Sequence, residues 1–209
     1  MNYSTEQEAF WAGTFGNEYL KRNRGSDLLA SNLAFFSKAL QRVMPPARIL
    51  EFGANVGMNL RALSLLYPRT ELYGIEINAR AATALAEVIG QERVMNTSIL
   101  EYTVDSTFDL TLIKGVLIHI DPASLPLVYD RLYASSSAYL LVAEYYNPSP
   151  ATIPYRGHEN RLFKRDFAGE LLDRFADLRL VDYGFTYHRD PVFPQDDITW
   201  FLLKKGSGE

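Results

Sequence analysis

The residues best equipped for chemistry begin with an acid and two glycines, in Glu51-Phe52-Gly53-Ala54-Asn55-Val56-Gly57. An apolar run from Arg48 to Phe52 leads in, and a helix-like segment from Met58 to Leu66 leads out. A loop between a strand and a helix aims free N–H groups and the positive end of the helix dipole at whatever rests on it. Such a loop suits the polar part of a nucleoside cofactor. Glu76 closes the next apolar run about 20 residues further on, where a carboxylate accepts hydrogen bonds from both ribose hydroxyls. Ser98 and Ile99 follow the third run, in the stretch that covers an adenine.

The order of residues narrows the cofactor. Dinucleotide-binding loops read Gly-x-Gly-x-x-Gly, the second glycine letting the backbone touch a pyrophosphate. Here Asn55 stands where that glycine would be, which weighs against a nicotinamide or flavin dinucleotide. An acid at the strand end favours a cationic amine over a phosphate. S-adenosylmethionine carries such an amine beside its sulfonium. Zero cysteines and only three histidines leave few soft metal ligands, and no metal is expected.

Further candidates lie beyond the loop. His119 is the best base by type, because an imidazole titrates near neutrality; the alternative is a histidine packed beneath the following helix. Lys114 either orients a carboxylate or snorkels from a strand end. Tyr145 and Tyr146 end the fifth apolar run, where tyrosines can surround a sulfonium through cation–π contact. Tyr67 and Tyr133 sit at helix ends, away from that edge. Tyr155-Arg156-Gly157-His158-Glu159-Asn160-Arg161 is either an acceptor-binding segment or a solvated turn. Trp11 and Tyr19, with Phe10 and Phe15, fit a lid helix over the cofactor mouth, or plain core packing. His188, Arg189 and Asp190 with Asp196 and Asp197 match no metal-ligand spacing and read as a capped hairpin turn.

These positions require a particular scaffold. Residues 47 to 145 alternate strands (Arg48 to Phe52, Glu71 to Ile75, Arg93 to Thr97, Phe108 to Ile113, Ala138 to Ala143) with helices (Met58 to Leu66, Ala79 to Ile89, Pro122 to Ala134). That pattern predicts a parallel sheet with crossover helices. Asp121 is the expected N-cap of the last helix. Tyr145 to Glu159 reads as a long loop, Lys164 to Arg174 as a helix, and Arg179 to His188 with Ile198 to Lys204 as two antiparallel strands. The whole is an α/β, Rossmann-like sheet of seven strands, five parallel plus a terminal antiparallel hairpin, with helices on both faces. Residues 1–44 form an N-terminal helical lid region, 45–205 the main domain within one compact unit, and 206–209 a disordered tail.

At 209 residues the chain holds one core. Its 47% apolar and 22% charged residues belong to a globular protein. A formal charge of −4 argues against binding nucleic acid through phosphates. No run is long enough to span a membrane, and the first residues are no signal sequence. The expectation is a cytoplasmic protein with a small-molecule substrate; the oligomeric state is not legible.

The loop, Glu76 and the terminal hairpin together resemble the class I S-adenosylmethionine-dependent methyltransferases over roughly residues 45 to 205. The resemblance implies that Gly53 and Gly57 border the methionine part, with Ala54 and Asn55 between them. It also implies that Glu51 helps anchor the methionine, and that Glu76 binds the ribose with Ile77 beside it. Three longer segments resemble the methylases found with pseudaminic acid biosynthesis. They are Phe10 to Tyr19, Lys114 to Ile120, and Phe193 to Trp200. This implies an enzyme moving methyl from S-adenosylmethionine to O or N of a small polar acceptor, sugar-like or amino-sugar-related. In that reading His119, Lys114 and Tyr145 serve catalysis, Lys114 also touches cofactor, and Trp11, Tyr19, His119, Tyr146, Tyr155, Arg156 and His158 hold the acceptor. Competing readings are a non-catalytic cofactor-binding partner in a biosynthetic assembly and, more weakly, a nicotinamide oxidoreductase.

Overall fold

A computed structural model describes residues 3–20 and 25–206 of the chain. Three helices come first: α1 (Glu6–Ala12), α2 (Thr14–Tyr19) and α3 (Ser26–Ala39). The alternating region follows as β1 (Arg48–Phe52), α4 (Met58–Leu66), β2 (Glu71–Ile75), α5 (Ala79–Ile89), β3 (Val94–Met95), β4 (Phe108–Lys114), α6 (Leu125–Ser135) and β5 (Ser136–Glu144). A hairpin, β6 (Ala151–Tyr155) and β7 (His158–Lys164), precedes α7 (Phe167–Arg174), β8 (Leu178–Phe185) and β9 (Thr199–Lys205).

Seven strands form one sheet in the order β3-β2-β1-β4-β5-β9-β8. The first five are parallel, and β9 runs antiparallel to both β5 and β8. The order reverses between β1 and β4, and the crevice outside the carboxyl ends of such neighbours is where open α/β sheets bind ligands. Because β8 is antiparallel to β9, its end and the start of β9 lie at that same edge.

Side-chain alternation divides the core. Ile49, Leu110, Leu112 and Leu202 pack on one side with Phe36 of α3, Leu60 and Leu63 of α4 and Leu85 of α5. Leu50, Phe52, Ile113 and Val142 face the other side, against Val128 and Leu132 of α6 and Leu171 of α7. Strands covered on both faces read as continuous apolar runs, and those runs made them visible in the sequence.

Four departures from the sequence reading have local causes. The strand expected over 93–97 keeps only Val94 and Met95, because Gln91–Arg93 turn tightly and the Thr97 N–H closes onto Met95 O at 3.0 Å. The helix expected from Pro122 opens as a tight turn, Pro122–Ser124, capped by Asp121, and becomes α-helical only at Leu125. The expected loop 145–159 contains β6 and the start of β7, joined by Arg156 and Gly157 at φ 51° and 83°. Two successive left-handed residues make the tight turn whose twist matches a hairpin. β7 then runs to Lys164, so α7 starts at Phe167, where the Asp166 side chain accepts from the Gly169 N–H. Of the expected tail, only Gly206 lies within the described residues; 207–209 lie outside them.

Candidate active site

The loop after β1 is held by its own backbone. The N–H groups of Gly53 and Ala54 both donate to Ile75 O at 2.9 Å, and Gly57 N–H donates to Ala54 O at 2.9 Å. Gly53, Asn55 and Gly57 all take positive φ, at 74°, 50° and 81°. Asparagine is the non-glycine residue best suited to that region, and its Oδ1 accepts from Val56 N–H at 2.7 Å. The Asn55 departure from a glycine pattern is therefore compatible with the loop's geometry. The Glu76 carboxylate receives Asn55 N–H and Asn78 N–H, each at 2.7 Å. Burial raises its pKa against the pull of those N–H groups. Asn78 then caps α5 through Arg80 and Ala81 N–H.

Ionisable groups from three adjacent strands lie beneath the loop. Glu51 on β1 is fully buried, and Asn59 Nδ2 donates to its Oε1 at 2.6 Å. Burial pushes its pKa up to about 8, only partly opposed by Asn59 and Lys114. Glu144 ends β5, and its Oε1 accepts Val116 and Leu117 N–H at 2.9 Å each, which fixes the tight turn Leu117–His119. Burial lifts its pKa to about 7. Lys114 ends β4 with its Nζ 5.5 Å from the Phe35 ring centre. Burial lowers its pKa, while Glu51, Asp196 and Glu144 pull it back up.

The roof comes from the N-terminus and the β6–β7 hairpin. Thr5 and Glu8 form a reciprocal capping box on α1. Glu8 also receives the Ser98 hydroxyl, and Ser98 Oγ in turn accepts Leu100 N–H at 2.9 Å. Burial pushes the Glu8 carboxyl up, but its hydrogen bonds prevail and hold it below the usual range. Asn78 Nδ2 donates to Trp11 O at 3.2 Å, and Gln7 Nε2 to Asn160 O at 3.1 Å. The Trp11 ring lies 4.6 Å from His119, and His119 lies 4.9 Å from Tyr155. His119 Nδ1 is 2.5 Å from Arg161 O, so Nδ1 carries the proton and Nε2 the lone pair. Burial pushes its pKa down to about 4, leaving the ring neutral at pH 7.

One cavity of about 600 Å³ opens among these groups, within the usual range for ligand pockets of about 300–1,000 Å³. Its lining includes Gly53, Ala54, Asn55, Glu76, Ile77, Ser98 and Ile99. It also includes Trp11, Tyr19, Lys114, His119, Tyr145, Tyr155 and Arg156. Tyr19 is pushed up to about 12 by burial and by Tyr155 and Asp196 nearby, and burial with Asp196 also raises Tyr145. Both phenols stay protonated and act as hydrogen-bond donors.

Four expected site residues lie elsewhere. Glu51 is sealed behind the loop, and its carboxylate is hydrogen-bonded to Asn59, which lines the cavity wall. Gly57 is buried, and a Cβ there would meet Leu85 Cδ1 at 2.8 Å, so its lack of a side chain serves the packing of α4 on α5. Tyr146 follows Tyr145 and therefore faces the opposite side of the sheet, 40% exposed, with its ring 6.0 Å from Phe201. His158 sits outside the cavity, its ring 5.0 Å from Phe10. The sequence reading missed Glu8, Asn59, Gln195 and the place of Asp196 in the wall. Of these only Glu8 left a local signal, in the Thr5-x-x-Glu8 capping pattern. Among the described residues, no three His, Asp or Glu side chains gather around a possible metal position, and no helix is long and apolar enough to cross a membrane.

No protein-family model and no curated protein matches the sequence. Solved structures do match the fold. The 1,6-didemethyltoxoflavin N1-methyltransferase of Burkholderia thailandensis, with S-adenosylhomocysteine bound, superposes with a TM-score of 0.75 at 16% identity, covering 99% of this chain and 92% of that one. Magnesium protoporphyrin IX methyltransferase of Synechocystis PCC 6803, with S-adenosylhomocysteine, gives 0.69 at 12% identity over 96% of this chain and 100% of that one. Coclaurine N-methyltransferase, bound to N-methylheliamine and S-adenosylhomocysteine, gives 0.68 at 11% identity over 90% and 81%. The chain has the class I methyltransferase fold.

Proposed function

We propose that the chain is an S-adenosylmethionine-dependent methyltransferase acting on O or N of a small polar acceptor, sugar-like or amino-sugar-related. The observation that carries this is the joining, in one cavity of a methyltransferase fold, of the Gly53–Asn55 loop and the Glu76 carboxylate. The donor set fits the cofactor. Gly53, Ala54 and Asn55 would border the methionine part, with the Lys114 ammonium available to its carboxylate. Glu76 and Ile77 would meet the ribose, and Ser98 and Ile99 the adenine. When bound, that cofactor supplies a methyl group made electrophilic by a sulfonium.

The protein's own work is alignment and exclusion of water. Trp11, Tyr19, Tyr145 and Tyr155 present aromatic faces suited to a cation. Within the N-terminal region, α1 and α2 act as the lid, with Glu8 fastening α1 to Ser98, while α3 packs into the core through Phe36. The acceptor class draws support from the three segments that resemble the pseudaminic acid-associated methylases, because they bring Trp11 and Tyr19, Lys114 and His119, and Asp196 to the same cavity.

Titration calorimetry with S-adenosylhomocysteine tests the cofactor. Binding is expected for the wild type and at least about tenfold weaker binding for Glu76→Ala, a loss of about 1.4 kcal/mol or more. No heat with folded, cofactor-free protein would sink the reading. The competing reading, a cofactor-binding partner without turnover, draws on His119 lacking a carboxylate partner among the described residues. It predicts normal binding heat and no methyl transfer to any acceptor in a panel of nucleotide-activated amino sugars.

A further inference from the structure

The connection between β8 and β9 returns a histidine and an acid to the cavity mouth. His188 Nδ1 lies 2.8 Å from Asp197 Oδ1 and 2.9 Å from Oδ2. The backbone N–H of His188 donates to the same Oδ1 at 3.0 Å. The two sides of the connection are fixed across one another. Thr186 N–H donates to Ile198 O at 2.9 Å, and its hydroxyl donates to Asp196 O at 2.8 Å. Asp190 fastens the turn through Val192 and Phe193 N–H, and Gln195 Nε2 donates to Asn32 Oδ1 at 2.8 Å. His188 lines the cavity, next to Gln195 and Asp196.

A ring whose Nδ1–H is committed to a carboxylate keeps its lone pair on Nε2, and the carboxylate steadies the imidazolium once a proton arrives. The His188 ring and N–H hold Asp197 below the usual carboxylate range, with Lys164 adding to the effect, so Asp197 is ionised. His119 differs on both counts. Its Nδ1 rests on a carbonyl and its surroundings are aromatic, so a proton acquired there would lack a counter-charge. His119 is placed to accept a hydrogen bond, and His188 has the Asp197 carboxylate beside its ring.

We propose that His188 is the proton acceptor of the methyl transfer, that Asp197 is its positioning residue, and that the acceptor offers a hydroxyl group. The proposal rests on the methyltransferase reading above. As the hydroxyl oxygen bonds to the methyl carbon, the C–S bonding pair returns to sulfur and the hydroxyl proton passes to His188 Nε2. The products are a methyl ether, a neutral thioether and an imidazolium paired with Asp197. A neutral amine has its lone pair free before any proton leaves, whereas a hydroxyl gains nucleophilicity from a base in place. A cavity-lining histidine paired with an aspartate therefore favours oxygen.

The test uses the full chain. Long-range ¹⁵N NMR of histidine-labelled protein, with three histidines to assign, reads the tautomer of His188 directly. The Nδ1–H form is expected, with that preference lost in Asp197→Asn. Methyl transfer from labelled S-adenosylmethionine to nucleotide-activated hexoses and amino sugars gives the second readout. His188→Gln is expected to turn over about 100-fold more slowly or worse, with affinity for S-adenosylhomocysteine unchanged. Added imidazole is expected to restore part of the rate of His188→Ala, which a purely structural histidine would not allow. An Nε2–H tautomer, or wild-type turnover by His188→Gln, overturns the proposal. Failure of the wild type to bind S-adenosylhomocysteine defeats the methyltransferase reading; intact binding with the wrong tautomer defeats only the dyad.

Discussion

Gly53 is where the loop, the turn after β4 and the cavity meet. It sits at φ 74°, and a Cβ there would lie 2.6 Å from Val116 Cγ2 and 3.1 Å from Cγ1. Gly53→Ala therefore carries two separable costs. A left-handed alanine costs about 1–2 kcal/mol, and forcing an extra methyl against Val116 costs about 1–3 kcal/mol. Val116 cannot retreat freely, because its N–H is tied to Glu144 at 2.9 Å and Gly115 before it is itself at φ 68°. Val116→Ala removes the opposing methyls, so the double variant sheds the crowding cost and keeps the backbone cost. Urea denaturation of the four proteins should return a favourable coupling of about 1–3 kcal/mol between the substitutions. S-adenosylhomocysteine affinity should fall in Gly53→Ala and recover in part in the double variant. Additivity within about 0.5 kcal/mol would refute the contact.

Two other perturbations test the loop and what lies beneath it. Burial holds the Glu51 carboxyl at about 8 against an ordinary 4.5, so the folded protein keeps a proton that the unfolded chain releases. Its contribution is full below pH 4.5 and is lost as pH rises to about 8, at up to about 1.4 kcal/mol per pH unit. Glu51→Gln should flatten the fall of the urea midpoint between pH 5 and 8, with Glu144 leaving a residual slope of the same sign; an unchanged slope counts against a protonated Glu51. At Asn55, φ 50°, valine should cost about 1–2 kcal/mol while glycine is nearly neutral. Equal melting temperatures for Asn55→Val and Asn55→Gly would mean that the left-handed conformation is misassigned.

Local rules reached some elements and not others. The bounds of β1, α4, β2 and α5 coincide with those read from the sequence, because apolar runs end there at glycines, caps or turns. The β6–β7 hairpin was hidden. Its first strand has an exposed centre, Thr152, Ile153 and Pro154, so no buried face imposes an alternation. Its turn places an arginine where glycine or asparagine is usual. The site divided along the same line. Residues on the strand–loop–helix units, Glu51 and Gly57 excepted, reach the cavity because neighbouring parallel strands share one edge. Tyr146 and His158 do not, since a side chain's face depends on strand alternation past Glu144 and on a hairpin that was not visible. The bond from Ser98 to Glu8 and the position of Asp196 are tertiary facts, with no local pattern to announce them.

The row Glu51, Lys114, Glu144 shows why an expected anchor can lie outside the cavity. Three neighbouring strands carry ionisable side chains there, at their ends or one residue before, and replacing such a row with apolar residues is often neutral or stabilising. Packing alone does not account for it. Each acid is held from within the protein, Glu51 by Asn59 and Glu144 by Val116 and Leu117, and each keeps one buried oxygen without a partner. Lys114 shares the row and also borders the cavity. An anionic group seated beside Lys114 would favour its ammonium, and the ammonium in turn lowers the cost of ionising either acid. The row thus ties charge in the cavity to protonation beneath it. Under the proposed function Glu51 would act on a ligand through Lys114 and Asn59 and not by contact, and it would need to be buried to do so.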